Sequence, residues 1–353
     1  MKVLFLTPWY PSEKDAMVGL FVQKHVEAVR AQGVDVRVIH SQRLLDTWHQ
    51  WGILKREGWI PDIVQLNVIQ KQGLLALSLW ENKHIPYIIV EHWSGYMPEN
   101  GQFMRMSSLK RSLYRFIAKE AAMILTVSDC HAQAMQSCGI RNDHWGRINN
   151  VVDDFFCRRK AKSQDSKIKT LLHVSCFDER AKNIKGLLRA ARRLSEKRQD
   201  WQLVLVGNGV DYQEVRDYAD TLHFPAGMIR WTGELSPKEV SDEFDKSDAF
   251  VLSSNYENAP VVISESLAKG IPVVSTNVGG ISEMVDHQCG ILVSPGNDEK
   301  LTEALNMMLD HYPDYDAQTI RQHGEQYSFG IVGAKLKAIY DSCVQATQTK
   351  QAE

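Results

Sequence analysis

The chain has 353 residues, 44% of them hydrophobic and 24% charged, with a formal net charge of −2. That length exceeds one ordinary core and fits two domains of about 150 to 180 residues each. The balanced charge lacks the basic stripe with interleaved aromatics that nucleic acid requires, so no nucleic-acid partner is expected. Cys130, Cys138, Cys157, Cys176, Cys289 and Cys343 show neither CxxC nor ligand-like spacing with histidine. A disulfide framework and a zinc motif are therefore both unindicated, and reduced thiols are expected.

The opening apolar run VLFL stops at Thr7 and Pro8, too short for a signal peptide, and no run of 18 apolar residues follows. A cytoplasmic location is expected. The runs at 3–8, 35–40, 62–68, 87–92 and 123–128 read as strands alternating with helical patterns, among them Val18, Val22, Val26 and Val29 on one face of 18–31. That alternation predicts a parallel sheet. The segment 105–121 carries Arg105, Lys110, Arg111, Arg115 and Lys119 against Glu120 alone, with Met106, Leu109, Leu113, Phe116 and Ile117 at helical spacing. Such a stripe reads first as core packing beneath a solvated basic back, and second as a contact with an anionic membrane surface. Residues 1 to 165 hold 21 basic against 16 acidic side chains and the remainder 20 against 27, so the halves carry +5 and −7.

The polar segment 157–169 lacks apolar periodicity and reads as a linker, which predicts domains at 1–163 and 164–327 with a last helical segment over 328–353. A second series follows. Strand-like runs at 170–175, 201–207, 229–233, 249–254, 272–276 and 290–294 alternate with helices near 183–198, 211–222, 236–246, 260–269 and 297–310. The fold class is α/β, with two doubly wound domains. Within 254–285, Glu257 and Glu265 bracket seven residues. Pro260 suits a helix start, which leaves Glu257 in the loop and Glu265 inside the helix. The first helical NH groups, Val261 and Val262, are then free to meet an anion such as a diphosphate. Asp153 and Asp154 lie in a turn, and Asp314 and Asp316 in a surface-like run, so no metal motif is expected. VGNG at 206–209 lacks the third glycine of GxGxxG, with Tyr212 in its place, which argues against a dinucleotide site.

In these motifs the chain resembles the retaining glycosyltransferases of family 4, of GT-B fold, over nearly all its length. The resemblance implies two Rossmann-like domains facing across a cleft, with the final helix, offering Ile331, Leu336 and Ile339 for packing, crossing back to the first domain. It implies that Glu257 contacts the transferred sugar, that Glu265 holds the nucleotide ribose, and that Lys182 meets the diphosphate. Asn258, Val261 and Val262 join this donor-binding set. Cys176 stands where the family has an arginine, and Ser175 where it has a glycine. Arg180 either supplies the missing charge or is a solvated surface residue. Gly207 and Asn208 match a Val-Gly-x-Gly at the nucleotide, and Gly19 matches one glycine of a commoner pair near the donor phosphates.

His92, at a strand end beside Glu91 and Trp93, is expected to orient the sugar rather than act as general base. In the family's front-face mechanism the leaving phosphate oxygen takes the acceptor proton. The implied activity is transfer of a hexose or N-acetylhexosamine from a nucleotide sugar, UDP- or GDP-linked, to a cell-surface glycan or lipid-linked acceptor. No cofactor or metal is implied, and the acceptor class implies peripheral membrane work. Two other functions fit parts of the pattern: a sugar-nucleotide epimerase on the same fold, and a non-catalytic sugar or lipid-head-group binding subunit, which Cys176 favours.

Overall fold

A computed structural model describes residues 1–13, 17–158 and 167–352. It divides into two compact units, residues 1–151 with 329–353, and residues 152–328. The first unit holds a six-stranded sheet of β1 (Lys2–Thr7), β2 (Asp35–His40), β3 (Ile63–Asn67), β4 (Tyr87–Glu91), β5 (Met123–Thr126) and β6 (Trp145–Arg147), in the order β2-β1-β3-β4-β5-β6. Every pairing is parallel. Leu4 and Leu6 of β1 enter one apolar cluster while Val3 and Phe5 enter another. Burial on both faces explains why these strands read as continuous apolar runs. β6 escaped the sequence reading because it is three half-buried residues, Trp-Gly-Arg, at the sheet edge.

The second unit repeats the plan with β7 (Lys169–Val174), β8 (Trp201–Val206), β9 (Ile229–Gly233), β10 (Ala249–Leu252), β11 (Val273–Thr276) and β12 (Gly290–Val293), ordered β12-β11-β10-β7-β8-β9 and again all parallel. Its helices Ile184–Ser195, Tyr212–Thr221, Pro237–Asp245, Val261–Lys269 and Asp298–His311 fall within a few residues of the expected ranges. Local chemistry sets such ends: Ser236 and Glu239 form a reciprocal capping box ahead of Pro237. Asp316, considered for a metal, caps Ala317–Glu325, and Asp314 accepts from His311 at 2.9 Å.

Three expectations need correction. Val18 is 40% exposed, because left-handed Gly19 caps a helix that begins only at Leu20, whereas Val22, Val26 and Val29 are fully buried. The chain enters the second unit at Val152, earlier than the composition marks: Val152 and Phe156 are in that unit's core, and Val152 N donates to Tyr327 O at 2.8 Å. Most of the linker expected at 157–169 lies outside the described residues. The last helix, Phe329–Ala352, packs on the helix Leu20–Arg30 through Val332, Leu336, Tyr340 and Cys343, while Ile331 is 48% exposed and Ile339 only half-buried. Of the three residues expected to pack, Leu336 alone is fully buried. Among the described residues no helix is long and apolar enough to cross a membrane.

Candidate functional site

In the second sheet the strand order reverses between β7 and β10. Loops leaving the carboxyl ends of adjacent strands at such a point diverge and leave a crevice. After β7 the chain forms the one-turn helix Glu179–Lys182, whose start is held by Asp178 Oδ1 accepting from Ala181 N at 3.2 Å. After β10 the loop from Ser253 is stitched onto that turn. Ser253 Oγ donates to Lys182 O at 2.9 Å, Asn255 N to Ala181 O at 2.7 Å, and Asn255 Nδ2 to Arg180 O at 3.0 Å. These bonds satisfy carbonyls that a short helix leaves without intrahelical partners. They also bring Lys182 Nζ to 2.5 Å from Glu257 Oε1. Ser254 Oγ donates to the same oxygen at 2.7 Å.

Both partners of this ion pair are mostly buried, with side chains 16% and 11% exposed. Burial alone would lower the Lys182 pKa, but the Glu257 carboxylate, followed by Cys176 and Tyr256, outweighs it and holds the ammonium above its ordinary value. Lys182 is thus a fixed, mostly buried cation. Next to it, Gly280 N donates to Asn258 O at 3.0 Å, and a Cβ on Gly279 would lie 1.7 Å from Glu257 O. The Gly279-Gly280 turn therefore presses directly on the Glu257–Asn258 segment. Pro260 is the N-cap of Val261–Lys269, and the first turn closes with Ile263 N donating to Pro260 O at 3.1 Å. Val261 and Val262 are the first two helical residues, so their NH groups precede any intrahelical acceptor. Glu265 lies one turn further on and is half-buried.

Gly207 adopts φ +130, and a Cβ there would lie 1.9 Å from Ser175 O, so only glycine fits between the β7 and β8 loops. Asn208 is exposed; its carbonyl accepts from Phe177 N at 2.9 Å and its Oδ1 from Gly209 N at 2.8 Å. Ser175, where a glycine was expected, shares a 2.8 Å bond with His173 Nε2. Cys176 is exposed and interacts electrostatically with Lys182. Arg180 is exposed on the same turn as Lys182, and both cations act on Tyr256. The sequence reading missed Ser254 and Asn255. Serine and asparagine beside a glutamate are a signal of hydrogen bonding only once the loop's partner is known.

The other two expected residues lie in the first unit. Gly19, at φ +74, caps Leu20–Arg30, and that helix brings Phe21 and His25 onto His92 with ring centroids 4.3 and 5.5 Å apart. β4 ends at Glu91, so His92 is the first residue of the loop rather than the last of the strand. Glu91 is fully buried and anchors that loop: Oε1 accepts from His92 N and Trp93 N, each at 3.0 Å, and Oε2 from Ile69 N at 2.9 Å. Burial lifts its pKa to about 7 against the pull of these NH donors. Burial, then the neighbouring His25 and His131, push the His92 pKa well below its ordinary value, which keeps the ring neutral. Glu91, His25 and His131 escaped the sequence reading as a group, since only folding assembles them.

Similarity to known proteins follows the same two halves. The sequence profile of Glycosyltransferase Family 4 matches residues 1–154, and that of Glycosyl transferases group 1 matches residues 156–325. TuaC of Bacillus subtilis, named for a glycosyltransferase of teichuronic acid biosynthesis, is 21% identical over 86% of this chain and 88% of its own. The 2-deoxystreptamine N-acetyl-D-glucosaminyltransferase of Niallia circulans is 23% identical over 70% of this chain and 63% of its own. Among solved structures, the sucrose-phosphate synthase of Thermosynechococcus elongatus superposes with a TM-score of 0.80 at 15% identity, covering 98% of this chain and 99% of that one. Anabaena Alr3699/HepE in complex with UDP-glucose gives 0.77 at 18% identity, covering 97% and 100%.

Proposed function

Because the chain belongs to the family 4 glycosyltransferases of GT-B fold, we propose that it transfers a hexose or N-acetylhexosamine, with retention, from a nucleotide sugar to a surface-glycan or lipid-linked acceptor at the cytoplasmic face of a membrane. The observation that carries this reading is the Lys182–Glu257 pair beside the start of Val261–Lys269, at the switch point of the second sheet. A departing nucleoside diphosphate needs its growing negative charge met in the transition state. Lys182 and the NH groups of Val261 and Val262 meet it, with Arg180 adding charge where the family has an arginine in place of Cys176, so the reaction proceeds without a catalytic metal. Glu265 holds the ribose hydroxyls. Gly207 and Asn208 let the backbone approach the nucleotide, Asn258 adds a donor contact, and Gly19 lines the phosphate path.

Glu257 faces the transferred sugar. Its Oε1 is occupied by Lys182 and Ser254, which suits a positioning carboxylate better than a covalent nucleophile. His92, neutral, bonds a sugar hydroxyl. The bond from the anomeric carbon to the diphosphate oxygen breaks, the acceptor oxygen bonds that carbon on the same face, and the acceptor proton passes to the leaving phosphate oxygen. A neighbour that holds UDP-glucose and a relative named for teichuronic acid biosynthesis both support this reading. The test is nucleotide release from a panel of UDP-, GDP- and ADP-sugars with chelator present, with and without membrane lipid extract. Release from one donor that resists chelator, rises with lipid and disappears in Glu265→Ala is expected. Silence across the panel would favour a non-catalytic binding subunit, and release only on adding a divalent cation would remove metal independence.

A further inference from the structure

At the opposite edge of the second unit, Asp286, Cys289 and His323 bring a carboxylate oxygen, a thiol sulfur and an imidazole nitrogen within 4.8 Å of one another. Asp286 and Cys289 lie in the loop that leads into β12, and His323 is on the helix Ala317–Glu325. The loop is well fixed: Cys289 N and Gly290 N both donate to Asp286 O, at 3.1 and 3.0 Å, and Gln288 N donates to Asp286 Oδ1 at 2.9 Å. Cys289 O accepts from Val273 N at 2.9 Å, which ties the loop to the amino end of β11. The strands are parallel, so this edge is the far end of the sheet from Lys182 and Glu257, which follow the carboxyl ends of β7 and β10.

We propose that Asp286, Cys289 and His323 bind a zinc-like divalent cation that clamps the β12 approach loop to the helix Ala317–Glu325, with a water as fourth ligand. Thiolate, imidazole and carboxylate together are a donor set for zinc rather than for magnesium or calcium. Tetrahedral zinc places such atoms about 3.3 to 3.8 Å apart, so the ligands need close by only about an ångström. Cys289 is fully buried, Asp286 is exposed and His323 half-buried, which seats the sulfur inside and leaves one side open to solvent. Beside it an open cavity of about 380 Å³, lined among others by His287, His311, Asp314 and Tyr315, gives a route of entry. In the metal-free chain the Cys289 thiol bonds the Asp286 carboxylate. The cation takes the place of this thiol proton. One metal–sulfur bond forms, one S–H bond breaks, and one proton leaves to solvent.

This site was invisible to sequence spacing because His323 lies 34 residues beyond Cys289. The test uses the full chain and cobalt(II) as probe. At about pH 8, cobalt should give thiolate-to-metal charge-transfer absorption that saturates at one equivalent, releases one proton and is displaced by zinc. Cys289→Ser should abolish the absorption. His323→Gln, which leaves the buried thiol in place, should weaken binding by at least the roughly tenfold that even an outer-shell change costs. Zinc should raise the melting temperature of the parent and not of His323→Gln. No charge-transfer absorption in the parent, or absorption equally strong in both variants and so arising from the exposed Cys157 or Cys176, overturns the proposal. None of these readouts uses a donor sugar, so the glycosyltransferase assignment stands or falls separately.

Discussion

Lys182 and Glu257 are 75 residues apart in the chain and 2.5 Å apart in the fold. A lysine at this burial without its carboxylate would be driven toward the neutral amine; with it, the charge persists and is available to a diphosphate. Lys182→Ala should therefore lose roughly 2 to 4 kcal/mol of transition-state stabilisation, the scale for removing one donor to a developing anion, read as a fall in kcat/KM. Glu257→Gln keeps an oxygen for Ser254 Oγ and should leave nucleotide affinity nearly intact while cutting turnover. Glu265→Ala should do the reverse and weaken nucleotide binding first. If the two glutamate variants bind nucleotide and turn over like the parent, the central assignment is wrong. Helix-start chemistry is local, so the motif exposed Glu257 and Glu265 to sequence reading, whereas Lys182 was reached through the family resemblance alone. Asn255 was hidden, since its side chain bonds a backbone carbonyl 75 residues earlier, and Ser254 because its hydroxyl meets Glu257 Oε1 only in the folded loop.

At the scale of one element, the helix Ser108–Glu120 shows what periodicity can and cannot tell. Its apolar stripe was read first as core, and the structure buries Ile117 while leaving Leu109 81% and Phe116 48% exposed, with Met104 on the preceding turn 55% exposed. The face that does go inward is led by Tyr114, Ile117 and Ala118, one step around from the expected stripe. Arg115 is also drawn inward: its guanidinium donates to Cys138 O at 2.8 and 3.2 Å and lies over Phe103. What remains outside is a pair of apolar side chains one to two turns apart among Arg105, Lys110 and Lys119, the composition of a helix that lies on an anionic bilayer. Burying such a side chain in the interface stabilises by about 2 kcal/mol. The double variant Leu109→Ser, Phe116→Ser should thus lose most of its cosedimentation with anionic vesicles and keep the parent's melting temperature. Equal binding of parent and variant would assign this face to solvent.

For the molecule as a whole, both sheets were legible because parallel strands buried on two faces leave unbroken apolar runs, whereas the polar groups sealed behind those strands leave no pattern. His25 and His131 each donate Nε2–H to a carbonyl, of Asn149 at 3.0 Å and Trp93 at 3.1 Å, and each has a buried Nδ1 without a partner. His173 is equally enclosed, between Val251 O and Ser175 Oγ. Burial depresses all three to about 4. A histidine depressed in the folded state stabilises it fully above the ordinary value of 6.5 and loses that contribution as pH falls toward 4, on the order of 3 kcal/mol each. Glu91 acts in the opposite sense: raised to about 7 from 4.5, it favours the folded state below 4.5 and gives up that advantage as pH rises through 7. Histidines outnumber it, so unfolding free energy should fall by several kcal/mol between pH 6.5 and 4, a large part of what a domain possesses. The first unit contains His25, His131 and the similarly depressed His92, against His173 in the second. Amide exchange at about pH 5 should therefore show the first unit opening before the second. His131→Gln, which retains a donor for Trp93 O and cannot titrate, should remove about one proton from the pH slope of stability, or roughly 1.4 kcal/mol per pH unit. A stability that stays flat from pH 6.5 to 4 in the parent would mean that these rings take up protons without cost, and that the neutral, hydrogen-bonding state argued for His92 does not hold.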